Sequence, residues 1–503
     1  MNAPLTIVVN PPVVRGGRVG FSWTHPGGSA LQRRTRWRAH FVGVRLDRLP
    51  RAAIWDVFLS LQLRVWAGEP GPVTVVLPEG VPAAQREWWT AIHGSDHVTL
   101  QTSGDPLPST PAPPTRPGRI AVSFGGGKDS SLALSVLRGS RRRRDVLPVH
   151  VIQHSANARR ARLETALRSA LLVVLPTAVA TRSAVRVVDN DFLATLTAAG
   201  RRRAPHVNFY GPALLPLLMA EGVETITFSR TAAGYRSTPR ADGSLRFSNP
   251  TGRREQLEAT SDYLAAVHGY PLSLQGTHEA ISELVSYTAL AALDPAAARR
   301  VVMCMRTTRM RRWCLACSKC LEHGLFALAT GVQGRGFDPE RAFTSPRAQR
   351  LAEAARRSAG ERTAWGIAPY HPEIGTRTHF ASFCHALHRA GLRLGPERMT
   401  ATPGLRNLRD MHAAWARPFP GAATIDPDAI TAAAPLAQEV ARAALEVVPA
   451  RTDAQLARPG LRDEPRMLVG DEPAGAHHGA VMPTPRLDAW RQRWVRPAPG
   501  TSR

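Results

Sequence analysis

Ser123-Phe-Gly-Gly-Gly-Lys-Asp-Ser-Ser131 follows the apolar run Ile120-Ala-Val and precedes Leu132-Ala-Leu-Ser-Val-Leu. A strand that turns into a helix through three glycines lies where parallel sheets bind ligands, outside a carboxyl end. Glycines let backbone N–H groups come close to an anion, and the helix that follows offers its positive end. Lys128 adds a point charge, Asp129 suits magnesium, and Ser130 can cap the helix or donate to an oxygen. Only two lysines occur in the whole chain, Lys128 and Lys319.

Working outward from this loop, the pattern is β-α-β-α. Strands are expected over 120–124, 146–153, 184–188 and 224–229, and helices over 130–138, 161–174 and 212–221, the last despite Pro216. Such alternation implies a parallel, doubly wound α/β sheet covered on both faces. Upstream, residues 1–104 read as an accessory α/β or α+β domain, with strands over 18–23, 41–46 and 73–77 and helices over 52–66 and 83–93. Residues 105–118 are crowded with proline and read as a linker, hence a domain boundary. Residues 119–331 form the central unit, 332–450 a helical region with apolar spacing over 348–357, 380–390 and 436–447, and 451–503 an expected disordered tail.

The chain has 503 residues, with 65 Lys+Arg against 39 Asp+Glu, a formal net charge of +26. That length implies two or three domains. The charge admits an acidic partner such as nucleic acid, with 141–144 and 201–203 as the densest arginine runs. Arginine scattered among abundant Ala, Pro and Gly is equally the mark of a general coding bias. The N-terminus lacks the basic region of a signal peptide, and no uninterrupted apolar run reaches membrane-spanning length, so a soluble, cytoplasmic protein with no membrane partner is expected.

Four of the five cysteines fall in Cys304-x9-Cys314-x2-Cys317-x2-Cys320. Two Cys-x2-Cys steps let thiolates grip one ion, and the distant Cys304 completes four ligands. A four-thiolate shell favours structural zinc, with an iron–sulfur cluster as the rival. His323 is either an alternate ligand or a solvent-facing helix residue. Cys384, within an apolar helical pattern, is expected in the core.

Two familiar phosphate loops are excluded. A Walker A loop needs Ser or Thr directly after Gly-Lys, where Asp129 stands, and the dinucleotide fingerprint needs a third, spaced glycine. Residues 125–130 instead resemble the pyrophosphate-binding loop of the N-type ATP pyrophosphatases, Ser-Gly-Gly-x-Asp-Ser, with Gly125 in place of the first serine. Together with the downstream cysteines, residues 119–331 resemble 7-cyano-7-deazaguanine synthase and its relatives. The resemblance implies an adenine nucleotide alpha-hydrolase-like central domain that uses ATP, Mg2+ and Zn2+. It also implies a ligase that adenylates a carboxylate or carbonyl oxygen, releases pyrophosphate, and lets ammonia, an amine or sulfur displace AMP.

On this resemblance Ser123, Gly125, Gly126, Gly127, Lys128, Asp129 and Ser130 bind the nucleotide, and Lys128, Asp129 and Ser130 serve catalysis. His154, Asn208, Ser229, Arg230 and Tyr235 are the candidates for holding substrate at strand ends. Departures bear on substrate: Pro205-His-Val-Asn208 stands where the family has Gly-Arg-Asn, and Gly234-Tyr235-Arg236 lacks the aspartate and cysteine of the family's loop. The competing readings are a tRNA-modifying enzyme of the same superfamily and a non-catalytic nucleotide-binding protein. A homo-oligomer is compatible with all three.

Overall fold

The computed structural model describes residues 5–25, 35–67, 69, 71–93, 98–140, 144–154, 158–194, 210–231, 237–239, 245–247, 254–304, 311–357, 377–416, 423–425, 427–450 and 484–495. Among the described residues thirteen strands run β1 Leu5–Val9, β2 Val13–Arg15, β3 Arg18–Thr24, β4 Arg36–Phe41, β5 Val73–Leu77, β6 Val98–Thr102, β7 Arg119–Ser123, β8 Asp145–Gln153, β9 Arg186–Asn190, β10 Thr225–Thr231, β11 Ser237–Pro239, β12 Leu245–Phe247 and β13 Ser273–His278. Apart from the small β11–β12 pair, they form one sheet of order β13-β10-β7-β8-β9-β4-β3-β1-β5-β6, with β2 on β3.

Strands β13, β10, β7, β8 and β9 are mutually parallel. Counted from β7, they take the order 3-2-1-4-5, so the winding reverses between β7 and β10. That reversal opens a crevice at the carboxyl ends of those two strands. The glycine loop leaves β7 at this point. Near-continuous burial along β7 and β8 is what a parallel strand covered on both faces requires.

The N-terminal unit is not separate, which corrects the boundary expected at 105–118. β4 pairs antiparallel with β9, matching Ala39 with Asn190 and Phe41 with Val188. The 105–118 segment is extended but tied down: Leu107 N–H donates to Gly80 O, Arg116 N–H to Gly222 O, and Gly118 N–H to Glu224 Oε2. One continuous core runs from Ile7 through Trp55 and Leu147 to Leu274. Sharing a core removes more apolar surface from water than two small cores would.

Inside this junction lies Asp56, fully buried. Its Oδ1 accepts from Gln85 Nε2, Trp89 Nε1 (both 2.7 Å) and Tyr263 Oη (2.5 Å), and His268 Nε2 lies 2.6 Å from Oδ2. Tyr263 and His268 belong to the helix Arg254–His268 of the central unit. Burial pushes the Tyr263 hydroxyl well above its ordinary pKa, and the neighbouring Asp56 charge adds to that, so it stays a donor. Asp56→Ala orphans these donors, and chemical denaturation should show a loss of about 3–5 kcal/mol.

Two further expectations are corrected, one by side-chain alternation and one by a helix in the tail. The second N-terminal strand is Arg36–Phe41 rather than 41–46: Trp37, Ala39 and Phe41 are buried while Arg36 and Arg38 face water. Gly43, at φ 80°, then turns the chain. Part of the expected disordered tail is a helix, Thr484–Trp494. Its Trp490 is buried against Trp88, with Nε1 donating to Ala84 O at 3.1 Å, and Arg491 pairs with Asp262 at 2.7 Å. Residues 451–483 and 496–503 lie outside the described residues.

The β8–β9 crossover is a helix from Arg159 to Thr181 with π-type turns at Ala170–Val174. Among the described residues it is the one helix long and apolar enough by composition to cross a membrane, although Glu164 and Arg168 interrupt its apolar run. Leu163, Leu167, Leu171, Leu175 and Val179 form an exposed row along it. Residues 332–450 are helical where described, and several of these helices open on proline, including Pro339–Phe343, Pro403–Trp415 and Pro435–Leu445.

Candidate functional site

The glycine loop joins β7 to the helix Lys128–Gly139. Three of its carbonyls are engaged: Phe124 O with His150 Nδ1 at 2.8 Å, Gly126 O with Val302 N–H at 2.8 Å, and Gly127 O with Ser131 N–H at 3.0 Å. By contrast, the N–H groups of Gly125, Gly126 and Gly127 meet no acceptor among the described residues. Unmatched N–H groups at a helix N-terminus are an anion site, because dipole and donors point the same way.

Gly126 has φ 76°, and a Cβ there would lie 3.0 Å from Val173 Cγ1. Gly125 has an ordinary backbone, and a Cβ there would meet only open space. Gly125→Ser, which restores the hydroxyl of the resembled loop, should therefore leave the melting temperature unchanged and tighten ATP binding in a titration. Gly126→Ala should destabilise the fold by about 1–2 kcal/mol, since left-handed backbone disfavours a side chain.

Lys128 is not a free cation over the loop. Its side chain is 2% exposed; Nζ donates to Asp129 Oδ1 and Oδ2 at 2.8 and 2.9 Å, and it bonds Glu283 Oε2. Burial lowers the lysine pKa, but Asp129, Glu283 and Glu322 outweigh it and hold the ammonium charged. Asp129 Oδ1 also accepts from Ser286 Oγ at 2.6 Å, and its side chain remains 24% exposed. Ser130 is buried, and its Oγ donates to Gly127 O at 3.3 Å. Lys319 pairs with Glu322 at 2.8 Å and feels the charges of Glu283 and Lys128. The chain's only two lysines therefore share one acidic cluster.

Ser229, at the end of β10, accepts from Thr277 Oγ1 at 3.2 Å, and Thr277 contacts His278 Nδ1 at 3.0 Å. His278 is fully buried, and burial lowers it to about 4. His154, after β8, lies with Nε2 2.6 Å from Asp189 Oδ1, and Ser123 ends β7 opposite Val149. Asn208 and Tyr235 lie outside the described residues, as does the side chain of Arg230. The site thus gathers Ser229, Asp129, Lys128 and Ser130 with four residues that sequence reading missed: Thr277, His278, Glu283 and Ser286. His278 closes the strand Ser273–His278 next to β10, whose sequence Ser-Leu-Gln-Gly-Thr-His holds a single apolar residue and so carried no periodic signal.

Behind the loop, the four cysteines converge. Sγ–Sγ separations are 3.5 Å for Cys317–Cys320, 3.8 Å for Cys314–Cys320 and 3.9 Å for Cys304–Cys317, and all four sulfurs lie within 4.8 Å of one another. Zn–S bonds of about 2.3 Å give a tetrahedron with edges of about 3.8 Å. The set can hold a metal ion and is compatible with zinc. Cys317 caps the helix Ser318–Thr330 and Cys320 lies in its first turn, where the dipole favours thiolate. Leu315, at φ 59°, bends the backbone between Cys314 and Cys317. Cys314 N–H donates to Cys304 Sγ at 3.3 Å, and the Arg168 guanidinium donates to Cys304 O at 2.8 Å. The hydrogen bond to Cys304 pushes the Cys317 thiol up to about 11. Four thiols this close ionise together only around a cation.

His323 is neither ligand nor solvent-facing. It is buried, stacks on Trp313 with centroids 4.2 Å apart, and its Nε2 accepts from Gly334 N–H at 3.1 Å. Burial lowers it to about 3. Cys384 is in the core as expected. His278 and His323 stay neutral in the fold but protonate near pH 6.5 once unfolded. Their contribution is complete above pH 6.5 and declines as pH falls toward 4, by about 1.4 kcal/mol per pH unit for each histidine. Denaturant melts between pH 7 and 4.5 should show that decline.

A scan of protein-family models, a search of curated proteins and a search of solved structures each find no match to this chain.

Proposed function

We propose that the chain is an ATP pyrophosphatase-type ligase with an adenine nucleotide alpha-hydrolase-like central domain. The observation that carries this reading is the row of unmatched N–H groups on Gly125, Gly126 and Gly127, at the winding reversal and at a helix N-terminus. In this reading those groups hold the pyrophosphate portion of ATP. Lys128 acts through Asp129, fixing its carboxylate beside the loop together with Ser286. Asp129 would hold a magnesium ion, which offsets phosphate charge when bound.

The reaction is the attack of a substrate carboxylate or carbonyl oxygen on the α-phosphorus. A new P–O bond forms, the bond to the β-phosphate breaks, and pyrophosphate leaves with the electron pair. Ammonia, an amine or a sulfur donor then attacks the activated carbon and AMP departs. Charge neutralisation and positioning supply the catalysis, with no protein nucleophile needed. The cysteine cluster would hold zinc in a closed structural shell. Val302, whose N–H holds Gly126 O two residues before Cys304, ties that cluster to the loop.

Mass spectrometry after incubation with ATP, magnesium and a panel of 18O-labelled carboxylates tests the reading. Transfer of 18O from one carboxylate into AMP is expected. Unlabelled AMP, or none with any acceptor, rejects adenylation.

A further inference from the structure

A cleft of about 980 Å3 lies away from the glycine loop. It lies between the exposed face of β3–β4 and the first turns of the helix that begins at Arg159. Its walls carry Arg15, Arg18, Arg36, Arg38 and Arg162, with Asp189 the one carboxylate. Strand register explains this concentration of charge. Arg18 pairs with His40, Gly20 with Arg38 and Ser22 with Arg36, so their side chains share one face, while Val19, Phe21, Trp37 and Ala39 are buried on the other. Arg162 is engaged by Asp191 at 3.3 Å. Arg15, Arg18, Arg36 and Arg38 have no side-chain carboxylate partner among the described residues. Four unneutralised guanidinium groups around one concavity repel one another until an anion enters.

We infer that this cleft binds the phosphodiester backbone of a single-stranded nucleic acid. Same-face side chains recur about every 6.7 Å along a strand, a repeat that an extended chain of phosphates can follow and a single phosphate cannot fill. A concave wall admits a strand but excludes a flat bilayer. Phe21 and Trp37, 1% and 0% exposed, are buried on the opposite face, so arginines rather than tryptophan, tyrosine or phenylalanine rings dominate the cleft, with His40 the one ring on this face. The contacts are to phosphate, and binding is independent of sequence and steeply dependent on salt.

The cleft's position gives the binding a use. Asp189 lies near the carboxyl end of β9, two strands and roughly 10 Å from β7. One helix joins the two places, with Arg162 in the cleft and Val173 against Gly126. A strand held there directs an end or a side group toward the glycine loop.

The test is fluorescence anisotropy with the full chain and a 20-nucleotide single-stranded RNA, a DNA of the same sequence serving as the second arm. Four phosphate contacts predict a slope of log K against log salt near −3, at about 0.7 per contact. Arg36→Ala/Arg38→Ala should flatten that slope by about 1.4 and weaken binding about tenfold at low salt. The control pair Arg398→Ala/Arg406→Ala, exposed on the helical region, should change neither. Equal binding of both arms assigns the shared backbone, and preference for RNA adds its 2′-hydroxyl. Equal effects from the two variant pairs, or no binding to either strand at low salt, overturn the inference. ATP cleavage with a free small carboxylate, measured in the same variants, should be unchanged, which separates this result from the fate of the adenylation reading.

Discussion

Lys128→Met is expected to lower AMP formation by about 100-fold or more, the usual effect of removing one fixed charge-stabilising group. The ammonium is buried between Asp129 and Glu283. Removing it leaves two carboxylates facing each other, and Asp129 swings away from the loop it serves. That residue pair also makes the variant unstable, by about 3–5 kcal/mol, because each buried charge loses its partner. Lys128→Met/Glu283→Gln separates the two effects. With one carboxylate neutralised, thermal melts should recover most of the stability, while AMP release stays at the level of the single variant. Wild-type turnover in either variant would show that the lysine does not position the site.

Cys317→Ser should release the metal and destabilise the protein by several kcal/mol, a fraction of the about 10–16 kcal/mol that zinc supplies in isolated finger peptides. Cys317 contacts both Cys304 and Cys320, so its loss opens the tetrahedron at its centre. The damage spreads because Cys304, Cys317 and Cys320 are buried in the same core as Phe326, Phe343, Leu387 and Trp415. Metal analysis should find one zinc per wild-type chain and none in the variant. A chelator should lower the wild-type melting temperature to that of the variant and leave the variant where it is. Metal-free wild-type protein with the same melting temperature would reject a structural metal.

What could be read from the sequence was local. The loop, its strand and its helix declared themselves because glycine, charge and apolar periodicity change within a dozen residues, and the structure places them at Arg119–Ser123 and Lys128–Gly139. The four cysteines were legible for the same reason, their spacing being itself the signal. Glu283, Ser286 and His278 were not, since they reach the loop only through the strand order that sets β13 beside β10 and the helix Glu283–Leu293 beside Lys128–Gly139. Arg36–Phe41 was misread because arginine in a strand looks like loop until one knows that a single face is buried. Proline at 105–118 looked like a boundary, yet it only excludes regular structure, and its backbone groups found partners on both sides. Lys319 gained its account last, from an acidic cluster that no spacing along the chain reveals.

Phosphorus NMR of the nucleotide products bears most directly on the adenylation proposed for the glycine loop. Purified chain would be incubated with ATP, magnesium, the carboxylate panel and ammonia. AMP and pyrophosphate in equal amounts are predicted, formed only when an acceptor is present. ADP with orthophosphate, or ATP left intact with every acceptor, would contradict it.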